Sequence, residues 1–219
     1  MVWTTADDVR LLTGLTTSDI SDDDLDSLIG KAQLEVLVQI NTKVIREEID
    51  EIDETRTNAI DGTNKTYYIK NWLGNFISDA DFDLSVGASD VIVFAVDDND
   101  SSEKTLTTES VTYDEGKFEV TTEENNASLY VSYSYSSFDP VIPDPLLKLA
   151  TEYLASSYAY MRIDAGQKKK VKFGNVEIVN STGRAGSSNF FYTKYEDILL
   201  QLNESSNGGA IWGESLVQI

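Results

Sequence analysis

Apolar residues recur at three- and four-residue steps from Asp144 to Ile163, a pattern that predicts one long amphipathic helix. Asp144 can accept the free N–H groups of the first turn, and Pro145 suits the first helical position because its missing donor costs nothing there. Gly166 is the predicted end of the helix. The expected apolar face consists of Leu146, Leu149, Ala150, Tyr153, Leu154, Ser157, Tyr158 and Met161.

Two shorter helices are predicted before residue 41. The first ends at Gly14 and begins with a capping box between Thr5 and Asp8. The second begins with a capping box between Ser21 and Asp24, and its acidic first turn complements the helix dipole. The stretch from Lys43 to Asp53 fits either a continuation of this helix or the first strand of a sheet.

The middle of the chain has a different pattern. Between Asn58 and Phe138, turn residues separate short runs rich in Tyr, Val, Thr and Ile, which is typical of strands. The set predicts a small antiparallel β-sandwich or barrel. Trp72 and Phe76 are interpreted as core residues rather than contact residues. The predicted strands are Thr66–Lys70, Asp90–Val96, Glu103–Thr108, Lys117–Thr121 and Ser128–Ser134.

After Gly166, the sequence predicts a hairpin around a Gly174-Asn175 turn, with Lys170 and Lys172 on one face. Residues 181–189 are interpreted as a flexible loop because they are rich in Gly and Ser. A last helix is predicted over residues 190–202. The hairpin's expected apolar face consists of Val171, Phe173, Val176 and Ile178.

These patterns predict an α+β protein in which a helical domain is interrupted by an inserted β domain. Residues 1–54 form the first half of the helical domain, residues 55–139 the insert, and residues 140–202 the second half with its basic hairpin. Residues 203–219 are predicted to form an extended arm. Because a free terminus has no need of large apolar residues, we expect the arm to dock on another subunit or protein, and folding back onto its own core is the open alternative. Its expected docking residues are Ile211, Trp212, Leu216, Val217 and Ile219.

The charge of the chain is extreme, with 38 acidic and 17 basic residues and a net charge of −21. Residues 142–202 hold 6 of the acidic and 8 of the basic residues, so the acidity lies elsewhere. Adaptation to high salt would explain it, since the Debye length falls to about 3 Å at 1 M. Solubility and repulsion of an anionic partner also remain open, and the excess of Lys over Arg, 12 to 5, argues against salt adaptation.

The composition also excludes several kinds of chemistry. The chain has no Cys, and it has no His to act as a general base or metal ligand. We expect no enzyme, no cofactor and no metal site. The acidic runs Asp22–Asp24 and Asp97–Asp100 lack the glycine of a calcium loop, so we interpret them as a helix cap and a hairpin loop. No signal peptide or membrane span is predicted.

The order of the parts resembles that of the head–tail connector (adaptor) proteins of tailed viruses. The resemblance rests on residues 5–15 and 22–33 for the first helices, on residues 61–71, 91–96, 111–120 and 129–136 for the β insert, and on residues 171–181 and 195–202 for the closing half. It implies a dodecameric ring beneath the portal, assembled in the host cytoplasm and retained at the head–tail interface of the virion. The acidity would suit a virus of a halophilic archaeon.

The resemblance also implies partners. These are the portal protein, a tail-side stopper or tail-completion protein, and double-stranded DNA that passes without sequence-specific contacts. The docking arm would bind the portal. The basic residues Lys168, Lys169, Lys170, Lys172 and Arg184 have three open interpretations, namely a solvated loop, a contact with portal or neighbouring subunit, and a contact with DNA. The alternative function is a β-domain binding or adhesion module that recognises a glycan or a protein.

Overall fold

The computed structural model describes residues 2–50, 56–166, 169–173, 176–180 and 185–207. It confirms the predicted α+β class, with helices and antiparallel sheets. The chain divides into two compact units. The β unit comprises Ile40–Pro143, and the helical unit comprises Val2–Gln39 together with the chain from Asp144 onward. The sequence predicted the insert over residues 55–139, so the β unit begins earlier than expected.

The helical unit begins with α1 (Ala6–Thr13) and α2 (Asp22–Ile40). Thr5 and Asp8 form the predicted capping box, and Gly14 ends α1 with a left-handed φ of 70°. Ser21 Oγ accepts the Asp24 N–H at 3.3 Å, as its predicted capping role requires. Both helix starts were therefore predictable from their caps.

The predicted long helix is α3 (Pro145–Gly166), and its burial differs from the expected single apolar face. Met161 is exposed and Leu146, Leu149, Tyr153 and Tyr158 are only half-buried. Small residues let neighbouring helices approach α3 closely on several sides, so burial extends around most of its circumference. The buried residues are Leu147, Ala150, Thr151, Leu154, Ala155, Ser156, Ser157, Ala159, Tyr160 and Ile163.

The prediction of a flexible loop over residues 181–189 was wrong for its second half, because α4 (Ala185–Asn207) already begins there. Ser188 is buried, and its Oγ lies 3.1 Å from Ser157 Oγ and donates to the Ser157 carbonyl at 3.2 Å. Small polar residues that indicate a loop in isolation here serve close packing between two helices. Residues 181–184 lie outside the described residues.

The described residues of the β unit form eight strands in two antiparallel sheets. The strands in chain order are β1 (Thr42–Glu48), β2 (Thr66–Tyr68), β3 (Phe76–Ser78), β4 (Ile92–Asp97), β5 (Glu103–Leu106), β6 (Thr108–Thr112), β7 (Lys117–Val120) and β8 (Ala127–Ser136). The larger sheet has the order β1-β8-β4-β5, with β3 also paired to β8, and the smaller one has the order β2-β7-β6.

Both sheets contribute to one apolar core, the arrangement expected of a small β-sandwich. Tyr67 and Phe118 from the smaller sheet pack with ring centroids 5.9 Å apart. The ambiguous segment after Lys43 begins as strand β1, which ends at Glu48, and its residues 51–53 lie outside the described residues. The predicted strand Glu103–Thr108 ends earlier because the chain crosses to the other sheet at Thr107. The sequence analysis missed β3 and β6.

The predicted hairpin is present as β9 (Lys169–Phe173) and β10 (Val176–Asn180), which pair only with each other among the described strands. Phe173 lies opposite Val176 and Val171 opposite Ile178, so the register matches the predicted apolar face. Among the described residues, no helix combines the length and apolar character that crossing a bilayer requires.

We predict that Ser188→Leu destabilises the helical unit by about 1–3 kcal/mol, because the larger side chain must displace α3 from α4. Urea unfolding followed by circular dichroism measures the change. Thr193→Leu, at an exposed position of the same helix, is the matched control. Equal unfolding midpoints for the two variants would contradict the close packing at Ser157.

Candidate functional site

The predicted contact residues lie mostly outside the described part of the chain. Lys168, Arg184 and all five docking residues of the arm fall there. Lys169, Lys170 and Lys172 belong to β9, where the backbone alone is described. The roles assigned to these residues therefore stay predictions. Within the described residues, two other features of the β unit stand out, namely a carboxylate-rich loop and the outer face of the larger sheet.

The carboxylate-rich loop runs from Asp79 to Asp90, between β3 and β4. Asp79 is 2% exposed, and both of its carboxylate oxygens accept backbone hydrogen bonds from the loop that follows. Oδ1 accepts the N–H of Phe82 at 2.6 Å and of Asp83 at 3.2 Å, while Oδ2 accepts the N–H of Leu84 at 2.8 Å. Phe82 and Leu84 have positive φ values of 61° and 67°, so this carboxylate holds a strained turn.

Asp90 closes the other end of the loop in the same way. It is 1% exposed, and its Oδ1 accepts the N–H of Ala80 at 2.5 Å and of Asp81 at 3.3 Å. Its Oδ2 accepts the N–H of Gly87 at 2.8 Å. Two buried carboxylates thus satisfy six backbone donors of one loop. Burial raises the pKa of both carboxyls above the ordinary 3.8, while the backbone hydrogen bonds act in the opposite direction.

The loop also brings carboxylates together. Asp79, Asp81 and Asp83 each offer a carboxylate oxygen, and these oxygens lie within 4.8 Å of one another. Hard cations prefer such oxygens, but the Asp79 oxygens already accept three N–H groups, and Asp81 Oδ1 accepts the N–H of Asp83 at 3.2 Å. Hydrogen bonds within the loop therefore explain why these carboxylates lie close together.

The two acidic runs considered in the sequence lie in the first turn of α2 and across the end of β4 and the turn that follows it. At the start of α2, Asp22 pairs with Arg10, and Asp24 pairs with Arg162 at 2.6 Å. In the β4–β5 loop, Asp97 accepts the N–H of Asn99 at 2.7 Å and Asp100 accepts the N–H of Ser102 at 2.8 Å. The first two carboxylates thus pair with arginines at the start of a helix, and the last two accept backbone N–H groups of the hairpin.

The outer face of the larger sheet carries an arginine that lies over two aromatic rings. The Arg46 guanidinium is 5.2 Å from the ring centroid of Phe94 and 5.3 Å from that of Tyr130. Its Nη2 forms an ion pair with Glu103 at 2.7 Å. Phe94 and Tyr130 are directly paired across β4 and β8. This arrangement joins residues from four strands on one surface.

Trp72 and Phe76 mainly contact other aromatic and cationic groups of the β unit. Trp72 is half-buried against the core, and the Arg56 guanidinium lies 3.3 Å from its ring centroid. Phe76 packs against Tyr113 with ring centroids 6.2 Å apart. Gly116, with a φ of 62°, passes so close to Trp72 that an added Cβ would come within 2.5 Å of the Trp72 Cβ. The interpretation of these aromatics as packing residues fits their surroundings.

The acidity is concentrated in the β unit. Residues 40–143 hold 22 acidic and 7 basic residues, against 16 and 10 in the rest of the chain. No family model and no curated protein matches the chain.

Sequence reasoning missed the roles of Asp79, Asp90 and Arg46. The alternating carboxylates from Asp79 to Asp83 were a usable signal for a hydrogen-bonded turn, since Asp favours such local contacts. Arg46 had no local signal, because its position depends on a bulge in β1 and on rings that lie far away in sequence.

We predict that Asp90→Asn destabilises the β unit by about 1–3 kcal/mol. The amide can accept hydrogen bonds through only one atom, so one group of backbone donors loses its buried acceptor. Urea unfolding at a fixed salt concentration measures the loss. Asp97→Asn, at the last residue of β4, where the carboxylate is not buried, is the control and should cost much less.

The same variant tests the raised pKa. A group whose native pKa exceeds its unfolded value of 3.8 contributes stability below that value, and this contribution is lost as the pH rises through the native pKa. Asp90→Asn should therefore lower the pH dependence of unfolding as the pH rises above 3.8. Parallel pH profiles for the variant and the unmodified protein would contradict the assigned shift.

Proposed function

We propose that the protein is a structural subunit of a tailed-virus virion, a head–tail connector (adaptor) that forms a dodecameric ring under the portal. The ring surrounds the DNA channel and gives the tail its docking surface. The observation that carries the proposal is the division of the chain, with a helical unit formed from both ends of the sequence and a β unit inserted between α2 and α3. This is the order of parts on which the resemblance to connectors rests.

The packing of the helical unit supports a rigid building block. Thr4 Oγ1 donates to Glu152 at 3.1 Å, and Lys148 pairs with Asp8 at 3.2 Å, which joins α1 to α3. The Tyr160 hydroxyl donates to the Thr13 carbonyl at 2.9 Å. Helices from the two ends of the sequence are therefore tied to each other, and such a body can repeat around a ring without changing shape.

The charge supports a conduit that does not retain DNA. Tight contacts between lysine or arginine and phosphate would hold the duplex in place, whereas an acidic surface does not. With 38 acidic against 17 basic residues, the chain can present such a surface over most of its area. The acidity also fits a virus of a halophilic host, because high salt screens the repulsion between neighbouring subunits.

The arm and the basic hairpin are proposed contact elements within this assembly. The apolar residues Ile211, Trp212, Leu216, Val217 and Ile219 would bind the portal. On the other side of the ring, a stopper or tail-completion protein would bind. For Lys168, Lys169, Lys170, Lys172 and Arg184, the contact with portal or neighbouring subunit and the contact with DNA both remain proposals.

The direct test is the mass and symmetry of the purified protein. At about 2 M KCl, where charge repulsion is screened, we expect rings of twelve subunits in negative-stain images and a matching mass by light scattering. At about 0.1 M KCl the rings should dissociate and the melting temperature should fall. A monomer at both salt concentrations, also in the presence of portal rings, would contradict the connector function.

We predict that deletion of residues 208–219 leaves folding unchanged but abolishes binding to portal rings. The deleted segment carries five large apolar residues, whose burial against a partner would supply roughly 1.5–3 kcal/mol each. Co-sedimentation with purified portal measures binding, and circular dichroism checks the fold. The control is the double variant Glu204→Gln, Glu214→Gln. It removes the acidic side-chain charges after residue 202 and keeps the apolar residues. Co-sedimentation of the truncated protein would refute the role of the arm.

A further inference from the structure

The outer face of the larger sheet carries apolar residues where solvent-facing strands are normally polar. In an antiparallel sheet with one face on the core, the opposite face usually alternates to polar residues. Here Ile45 is 70% exposed and Ile92 is 47% exposed. Phe94 and Tyr130, paired on β4 and β8, are half-buried on the same face. We call Ile45, Arg46, Ile92, Phe94 and Tyr130 the outer-face patch.

The patch is built by a bulge in β1. Val44 pairs with Tyr133 and Glu47 with Val131, so Ile45 and Arg46 together oppose the single residue Ser132. Arg46 has a φ of 55°, an uncommon value for a non-glycine residue. Its backbone N–H donates to Ser132 Oγ at 3.0 Å. The bulge places Ile45 and Arg46 on one side of Ser132, and Ile92 pairs with Ser132 from the other side.

The cation of the patch is already ordered. The Arg46 guanidinium rests over Phe94 and Tyr130 and pairs with Glu103, so the four side chains hold one another in position. These contacts reduce the side-chain entropy that is lost when a partner covers them. Arginine and aromatic residues beside exposed isoleucines form the composition that is enriched at the centres of protein interfaces.

The charge of the patch indicates what can cover it. Residues 40–143 carry 15 more acidic than basic groups, so most surfaces of two β units repel each other. The members of the patch carry no net charge, because Arg46 is neutralised by Glu103 and the other members are uncharged. The exposed Glu48 lies opposite Tyr130 on the same face, so it marks the rim of the patch. A second strongly acidic copy can therefore pack on the apolar centre of the patch while Glu48 stays in solvent at the rim.

We propose that the outer-face patch is a subunit–subunit contact, covered by the adjacent copy of this chain. The inference rests on the proposed ring, in which each subunit contacts two neighbours through different surfaces. The patch supplies one of these surfaces from the β unit. The insert thereby acquires a specific role, because it extends the contact between subunits beyond their helical bodies.

The test is the double variant Ile45→Glu, Ile92→Glu in the full-length protein at about 2 M KCl. Both positions are exposed in the subunit, so the fold should be kept, and circular dichroism melting checks this. Burying two carboxylates in the contact should weaken association at least about tenfold, measured by sedimentation velocity over a concentration series. Leu73→Glu, at an apolar position of the β unit that is 75% exposed, is the matched control.

The outcomes separate this inference from the connector function. If the Leu73→Glu variant forms rings and the double variant dissociates, the proposed subunit contact is supported. Rings of the double variant at the same concentration as the unmodified protein overturn it and leave the connector function standing. A closed dimer that the double variant disrupts supports the contact and contradicts the ring. A monomeric unmodified protein overturns both.

Discussion

The antiparallel pairing of β1 with β8 is the interaction on which the organisation of this chain depends. It places Thr42 opposite Tyr135, so the segment that leaves α2 and the segment that leads to α3 lie side by side. The residues between them form the rest of the β unit, with its two sheets and one core. Because both ends of the insert meet in one pair of strands, the helical unit can be assembled from the two ends of the chain.

The same pair of strands holds polar residues together within the β unit. The Tyr133 hydroxyl donates to Glu47 at 2.8 Å and accepts a hydrogen bond from Asn71 at 2.9 Å. Burial raises the pKa of Tyr133, so the hydroxyl stays protonated and keeps donating to Glu47 at any ordinary pH. The inner face of strands β1 and β8 thus supports the core of the β unit, while the bulge at Arg46 shapes the outer face of the sheet. Register, buried polar contacts and the proposed subunit contact all depend on one alignment.

The sequence predicted local features of the fold better than features that depend on long-range contacts. The caps at Thr5 and Ser21, the pairing of β9 with β10 and the alternation of β8 are local, and they were predictable. The start of α4 was not, because Ser188 is helical through its contact with Ser157, far away in sequence. The short strand β3 has too few residues for a recognisable alternation. Likewise, the patch around Arg46 required the register of four strands, which no periodicity reveals.

The most direct measurement of this organisation is native-state hydrogen exchange of the full-length protein, followed by mass spectrometry at high salt. If β1 and β8 close the insert, amides of residues 42–48 that pair with β8 should exchange together with those of β4 and β8, at the rate of the β core. If β1 instead exchanges as fast as exposed loops while β4 and β8 stay protected, this pair of strands does not close the insert, and the dependence of the two-unit organisation on it is contradicted.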